Sequence, residues 1–91
     1  MNKRDLADVV AYETGMSRNR ALASVNVVFE TIAEALREGA DVRITGFGTF
    51  KVSHRKARTG RNPRTGEAVE IPATRSPAFK PSKAVKDRIN R

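Results

Sequence analysis

The chain has 91 residues, 18 basic and 10 acidic side chains, a net charge of +8 and no cysteine. This length predicts one domain, and the composition excludes disulfides, thiolate metal sites and a membrane span of about 18 apolar residues. The charged N-terminus lacks a secretory pattern, and 38% hydrophobic residues are too many for a disordered basic tail, so we expect a small, folded, intracellular protein.

Two helices are predicted at the start of the chain. Asn2 and Asp5 form a capping-box pattern, and Gly15 is a typical helix stop. Ser17 is the expected N-cap of a second helix. Its apolar residues recur at intervals of three and four: Leu22, Val25, Phe29, Ile32 and Leu36. Because the connecting turn is short, residues 1–39 are predicted to form a helical hairpin. This hairpin is expected to serve as a dimerisation base.

The hydrophobic period changes from helical to alternating at residue 42. Alternating residues on both sides of the corner Gly46-Phe47-Gly48 predict a β-hairpin. Residues 40–52 and 74–81 are expected to form a three-stranded antiparallel sheet. Ser82 is the expected cap of a short C-terminal helix over residues 82–91.

Residues 53–73 are predicted to form a protruding arm. Beyond Val52 the positions that should face the core carry His54, Lys56 and Arg58, so the strand has left the core. A turn rich in Asn, Pro and Gly returns the chain through a second alternating segment. The result is a two-stranded β-ribbon about 30 Å long.

The charge is concentrated in the second half of the chain. Residues 1–45 contain six basic and seven acidic side chains, a net charge of −1, whereas residues 46–91 contain 12 and three, a net charge of +9. Such segregation indicates an acidic partner, most often nucleic acid and less often an anionic membrane surface. The alternative is a role in solubility alone, which requires no asymmetry.

The residues outside the arm supply little material for a core. The chain contains four Phe, one Tyr and no Trp, and domains this small are marginally stable alone. A two-fold homodimer with a shared core solves this problem, and a monomer with a small core is the alternative. The expected dimer core contains Phe29, Phe47, Phe50 and Phe79.

No catalytic, metal or cofactor site is predicted. Gly46-Phe47-Gly48 lacks the third glycine of a phosphate-binding loop, and a strand follows it instead of a helix. His54 is the only histidine, so neither a metal cluster nor a nucleophile–histidine pair can be assembled. We therefore expect a protein that is not an enzyme.

The arm carries the residues most typical of nucleic-acid binding. Five cations lie within ten residues that contain no acid: Arg55, Lys56, Arg58, Arg61 and Arg64. A ribbon of this width fits a DNA groove, with its cations against the phosphates on both sides. At the tip, Asn62-Pro63 is either ordinary turn chemistry or a rigid wedge that enters between base pairs. The residues alone leave both interpretations open.

A long motif spans the β-hairpin corner and the arm. It reads Gly46-Phe47-x2-Phe50-x4-Arg55-x2-Arg58-x-Gly60-x-Asn62-Pro63-x-Thr65, and Pro-Ala-Phe-Lys-Pro follows at 77–81. This motif resembles the signature of the HU/IHF family of bacterial histone-like DNA-bending proteins, and the resemblance extends over essentially the whole chain. The tip at residues 61–67 and the short chain are most similar to the HU branch. The resemblance implies an α+β fold in an intertwined homodimer, with a helical base, a β-saddle and two arms.

The resemblance also implies roles for individual residues. It makes Pro63 the intercalating wedge. The implied arm contacts to DNA are Arg55, Arg58, Arg61, Asn62, Arg64 and Thr65. The implied contacts to the backbone of flanking DNA are Lys3, Arg75, Lys80, Lys83 and Lys86.

The function implied by the resemblance is binding of duplex DNA through the minor groove, with little sequence specificity, to bend and compact it in the cytoplasmic nucleoid of a bacterium. The sequence does not distinguish a homodimer from a heterodimer with a paralogue. The alternative is a structured RNA-binding or ribosome-associated basic protein. A membrane partner is disfavoured because the arm has no apolar face to insert.

Overall fold

The computed structural model describes all 91 residues and has an α+β fold, as the sequence predicts. The chain divides into two compact units, Met1–Glu38 and Gly39–Arg91. No helix has the length and apolar character needed to cross a bilayer. The elements in chain order are α1 (Lys3–Thr14), α2 (Arg18–Arg37), β1 (Val42–Ile44), β2 (Gly48–Arg55), β3 (Arg58–Arg61), β4 (Ala68–Ile71), β5 (Thr74–Pro81) and α3 (Lys83–Ile89).

The caps of the two long helices are those predicted from the sequence. Asn2 Oδ1 accepts a hydrogen bond from the Asp5 backbone N–H at 3.1 Å, and Asp5 Oδ2 accepts one from the Asn2 N–H at 2.9 Å. Gly15 ends α1 in the left-handed region with φ 75°, where a residue without Cβ is favoured. Ser17 Oγ caps α2 by accepting from the Arg20 N–H at 3.2 Å. These local bonds fix where the hairpin turns.

The helical unit has a small core. Among its apolar residues only Ala7, Ala21 and Val25 are buried. Partly buried neighbours pack around them: Leu6, Val10, Ala11, Met16 and Leu22. Further along the apolar stripe of α2, Val28 and Phe29 remain 53% and 43% exposed. The hairpin therefore leaves part of its apolar stripe uncovered by its own chain.

The second unit contains a three-stranded antiparallel sheet in the order β1-β2-β5. Phe50 lies opposite Val42 on one side and Phe79 on the other, so these three side chains share one face. The Phe79 ring lies 4.9 Å from the Phe50 ring and 5.2 Å from the Phe47 ring, measured between centroids. The three phenylalanines that the sequence assigns to the sheet therefore form one aromatic cluster.

The arm consists of two separate ladders. Strands β2 and β5 remain paired as far as Arg55 opposite Thr74, and β3 and β4 pair from Arg58 opposite Ile71 to the tip. Between the ladders, residues 56–57 and 72–73 are not in strands. Pro72, which lacks the N–H that a ladder would use, lies in this interruption, which the strand pattern did not predict.

The last helix, α3, begins where β5 ends. Ser82 Oγ accepts a hydrogen bond from the Val85 N–H at 3.3 Å, as expected of the predicted cap. The Ser82 N–H donates to the Phe47 carbonyl at 2.9 Å. This second bond connects the start of α3 to the β1–β2 corner.

Candidate nucleic-acid interface

The tip of the arm is a compact turn held by four hydrogen bonds, one of which runs from the Glu67 N–H to Thr65 Oγ1 at 3.3 Å. The Asn62 N–H donates to the Glu67 carbonyl at 2.8 Å, and the Gly66 N–H donates to the Asn62 carbonyl at 2.7 Å. Asn62 Oδ1 accepts from the Arg64 N–H at 2.9 Å. Gly66 has φ 75°, which a residue without Cβ adopts at little cost. Pro63 stands exposed within this turn, so a rigid apolar ring is presented to solvent at the end of the arm.

The four arginines of the arm are exposed and have no ion-pair or side-chain hydrogen-bond partner. They are Arg55, Arg58, Arg61 and Arg64. The arm also contains Glu67 and Glu70, and neither carboxylate pairs with an arginine. The charge of the arginines is therefore not neutralised within the chain and is available to phosphates.

The cations of the outer ladder point to both faces of the ribbon. Arg58 lies opposite Ile71, whereas Arg61 lies opposite Ala68, and side chains an odd number of residues apart on a strand project to opposite faces. The Ile71 side chain covers Gly60 so closely that a Cβ there would lie 3.0 Å from Ile71 Cδ1. A ribbon that is thin at this point and charged on both faces matches a groove with phosphates on both walls.

The predicted flank residue Lys3 lies in the helical unit. Its Nζ donates a hydrogen bond to Asn26 Oδ1 at 3.0 Å. Asn26 carries no charge, so this bond orients the ammonium group without neutralising it. Lys83 and Lys86 lie on α3 in the other unit, exposed and without side-chain partners.

Arg75 and Lys80 are predicted flank residues on the same strand, and the structure places them on opposite faces of it. Lys80 lies opposite Thr49, whereas Arg75 lies opposite His54. The His54 position continues the row of Phe50 along β2, so Arg75 follows the apolar face and Lys80 the polar one. The structure therefore does not bring these two residues to one surface of the sheet.

Two cations that the sequence interpretation did not single out share the polar face with Lys80. Arg43 lies opposite Thr49 in the β1–β2 pairing, and Lys51 is two residues further along β2. Alternation of polar and apolar residues could have identified them.

The ion pairs of the helical unit contrast with the unpaired arm. Arg18 Nε lies 3.0 Å from Asp8 Oδ1, and Arg37 Nη2 lies 2.6 Å from Glu34 Oε1. The hydrogen bond from Arg18 lowers the pKa of Asp8, and that from Arg37 lowers the pKa of Glu34. Both pairs are exposed, so they contribute little to stability.

Comparisons with known proteins agree over the whole chain. A family model described as bacterial DNA-binding protein matches residues 1–90. The chain is 53% identical over 90 residues to DNA-binding protein HU-1 of Halalkalibacterium halodurans, covering 99% of this chain and 100% of that protein. It is 53% identical over 89 residues to DNA-binding protein HU of Geobacillus stearothermophilus, covering 98% and 99%.

Solved structures give the same result. The HU protein of Anabaena, solved in a cocrystal with DNA, superposes with a TM-score of 0.86 at 45% identity, covering 98% of this chain and 97% of that one. The HU protein of Thermotoga maritima superposes with a TM-score of 0.67 at 31% identity, covering 98% of each chain.

Proposed function

The chain belongs to the bacterial DNA-binding protein family, and from this membership we propose that it is a histone-like architectural protein that binds and bends duplex DNA. Binding is through the minor groove and has little sequence specificity. The protein acts without a cofactor, is not an enzyme and works in the cytoplasmic nucleoid of a bacterium. Structured RNA, the alternative partner, is not favoured by the relatives, which are named as DNA-binding proteins.

The observation that carries this proposal is the arm tip. Pro63 is held in a turn whose four hydrogen bonds do not involve its ring, so the ring is rigid and exposed before DNA arrives. An apolar ring on such a support can enter between two base pairs, partly unstack them and kink the duplex. A turn that only connected two strands would not need a cluster of unpaired arginines beside it.

The arginines of the arm supply the affinity in this proposal. Arg55, Arg58, Arg61 and Arg64 bind phosphates and release counterions, and Asn62 and Thr65 add polar contacts at the tip. Lys3, Lys80, Lys83, Lys86 and Arg75 bind the backbone of DNA that continues past the kink. With about eight phosphates neutralised per dimer, log K falls with log salt at a slope of about −7.

The protein acts as an intertwined homodimer. Phe47 and Phe79 are 46% and 42% exposed within the single chain, and Phe29 on α2 is exposed to a similar extent. Large exposed apolar surfaces mark interfaces, and a second copy supplies the same surface with two-fold symmetry. Two chains then present two arms, which contact one duplex at two points.

The sequence dependence of binding is indirect. Bending an intact duplex costs several kcal/mol, about 1–6 for a smooth bend of a site this size. Nicked or already bent DNA requires less deformation, so the protein favours it over linear DNA. No helix of the chain is assigned to the major groove, where base edges are distinguished.

The first prediction concerns Pro63. End-to-end FRET on a duplex of about 35 bp is expected to rise when wild-type protein binds, because the DNA bends. We expect Pro63→Ala to remove about half or more of that rise, since alanine cannot unstack a base step as the proline ring does.

Pro72→Ala is the matched control, because it makes the same substitution in the same arm away from the tip. It is expected to bend DNA as the wild type does. The proposal is wrong if wild-type protein binds without a rise in FRET. The proposal that Pro63 acts as a wedge is wrong if Pro63→Ala bends DNA as strongly as the wild type.

A further inference from the structure

The hydrogen bond between Lys3 and Asn26 connects the first turn of α1 to the middle of α2. We propose that Asn26 is a positioning residue for DNA binding, which holds the Lys3 ammonium group in place for a backbone phosphate and, being neutral, leaves its charge to that phosphate. This inference rests on the proposed function, in which Lys3 contacts DNA, and it adds a residue that acts through Lys3.

The bond restrains the end of a flexible side chain. Lys3 Nζ donates to Asn26 Oδ1 at 3.0 Å, across 23 positions of sequence. Lys3 is exposed, whereas Asn26 is half-buried within a helix of 20 residues, so the acceptor is held by its helix. A side chain that is free in solution loses rotamer freedom when it binds a partner. Asn26 removes part of that freedom before DNA arrives, which lowers the entropy cost of the phosphate contact.

The ammonium group remains available to a phosphate after it bonds to Asn26. It has three N–H donors, and its one side-chain bond uses only one of them. No carboxylate lies within ion-pair distance of Lys3. Two donors and the whole positive charge can therefore be directed at phosphate oxygens.

Another polar link between the two helices has the opposite character. Arg18 Nε on α2 lies 3.0 Å from Asp8 Oδ1 on α1, so an acid offsets that cation. An aspartate at position 26 would make the same kind of pair with Lys3, because Asp and Asn have the same length and differ in charge. The amide at position 26 therefore determines that Lys3 is oriented without being neutralised.

The stability of the helices does not explain this pair. Lys3 lies in the first turn of α1, where the helix dipole favours acids over cations. Asn26 lies in the interior of α2, where asparagine is a poorer helix former than alanine. Both residues are unfavourable for the helices that contain them, whereas together they present an oriented cation. The phosphate backbone of DNA is the partner that such a cation fits.

The test replaces Asn26 by Asp and by Ala and measures DNA affinity by fluorescence anisotropy from about 50 to 200 mM salt. In Asn26→Asp the new carboxylate pairs with Lys3 in each chain of the homodimer. We expect the slope of log K against log salt to become shallower by about 1 to 2, since each phosphate contact contributes about 0.9. Asn26→Ala keeps the charge and loses the orientation, so we expect binding to weaken about threefold with an unchanged slope.

Asn19→Asp is the matched control, because it makes the same substitution at an exposed position of the same helix, about 10 Å along the axis from Asn26. It is expected to change the slope by less than about 0.5. Equal changes in Asn19→Asp and Asn26→Asp would mean that only net charge matters, and they would overturn the inference. The FRET change at saturation is expected to equal that of the wild type in all three variants.

A cycle of double variants shows whether Asn26 acts through Lys3. Lys3→Met keeps an unbranched side chain and removes the charge and the donors. In the Lys3→Met background, Asn26→Ala is expected to change the affinity by less than about 1.5-fold, because residues that act through one contact are not additive. A loss as large as in the wild-type background would show that Asn26 acts by another route, and it would overturn the inference.

Urea denaturation separates a positioning role from a structural one. Asn26→Asp gains an exposed ion pair, so we expect it to be at least as stable as the wild type while it binds DNA more weakly. A loss of stability that accompanies the loss of affinity would overturn the inference. If wild-type protein does not bend the duplex at all, the proposed function fails instead. If it bends DNA and Asn26→Asp leaves the slope unchanged, only the role of Asn26 is wrong.

Discussion

Gly48 shows how a single residue determines the packing of the sheet. It is buried between β1 and β5, opposite Ile44 and Pro81. A Cβ at this position would lie 2.6 Å from Phe79 Cε1 and 2.7 Å from the Lys80 carbonyl oxygen. One of these obstacles is backbone, which cannot rotate away as a side chain can. The absence of a side chain at residue 48 is therefore a condition for the aromatic cluster.

We predict that Gly48→Ala lowers the free energy of unfolding by about 1–3 kcal/mol, since overpacking forces neighbouring groups to shift. Gly60→Ala is the control, because the closest contact of its Cβ would be the flexible end of Ile71 at 3.0 Å, and the nearest backbone atom, the Val69 carbonyl oxygen, is at an ordinary 3.9 Å. Urea denaturation of both variants measures the difference. A Gly48→Ala protein as stable as Gly60→Ala would contradict the packing described here.

At the residue scale, the sequence predicted where the helices start. It did not predict the crowding around Gly48. Asn2, Ser17 and Ser82 are caps because each side chain bonds a backbone N–H three residues later, which is local information. The sequence predicts Gly48 only as part of a corner. Glycine is required there because of the Phe79 ring, and the position of that ring depends on strand register.

The arm, at the scale of the element, has an inner and an outer part of different stability. The inner ladder continues the three-stranded sheet to Arg55, whereas the outer ladder has four residue pairs and no third strand. Two-stranded ribbons have marginal stability by themselves. The interruption at residues 56–57 and 72–73 separates the two parts, so the outer ladder can open without disturbing the sheet.

We predict that amide hydrogens of β3 and β4 exchange faster than those of β2 in the free protein. Regions with few buried contacts open locally at low free energy. On addition of duplex DNA, β3 and β4 are expected to become protected by about tenfold or more, because bound DNA stabilises the closed ladder. Exchange in β3 as slow as in β2 without DNA would show that the arm is a single rigid ribbon.

The sequence predicted the existence of the arm but not its division. The loss of apolar residues at His54, Lys56 and Arg58 predicts that the strand leaves the core. Pro72 lacks a backbone N–H and is compatible with an edge strand, and its position opposite the 56–57 segment follows only from the observed register. In the same way, only the observed register shows that Arg43 and Lys51 share a face of the sheet. It places Arg43 opposite Thr49, and Lys51 is two residues from Thr49 on the same strand.

For the whole molecule, the single chain has too small a buried core to be stable alone. Ala7, Ala21 and Val25 are its only buried apolar residues, and they are small side chains. Burial of a larger side chain contributes about 1.5–3 kcal/mol, and here the large ones remain exposed. Stability therefore depends on surface that a second chain covers.

We predict that the melting temperature rises with protein concentration, because dissociation accompanies unfolding of an obligate dimer. Differential scanning calorimetry over about a hundredfold range of concentration measures this, and the rise is expected to be several degrees. Phe47→Ala is expected to lower the melting temperature throughout the range. A melting temperature independent of concentration would show that one chain folds alone.

The unpaired arginines of the arm have a consequence for the protein in the absence of DNA. Each chain carries a net charge of +8 after its ten acidic residues are counted, so a dimer holds an excess of positive charges close together. That repulsion opposes the compact state, and added salt relieves it by screening. Salt therefore acts in opposite directions on the two equilibria of this protein: it stabilises the free dimer and weakens its complex with DNA. The polyanion that the dimer binds neutralises this excess charge, so part of the stability of the folded dimer is supplied by its ligand.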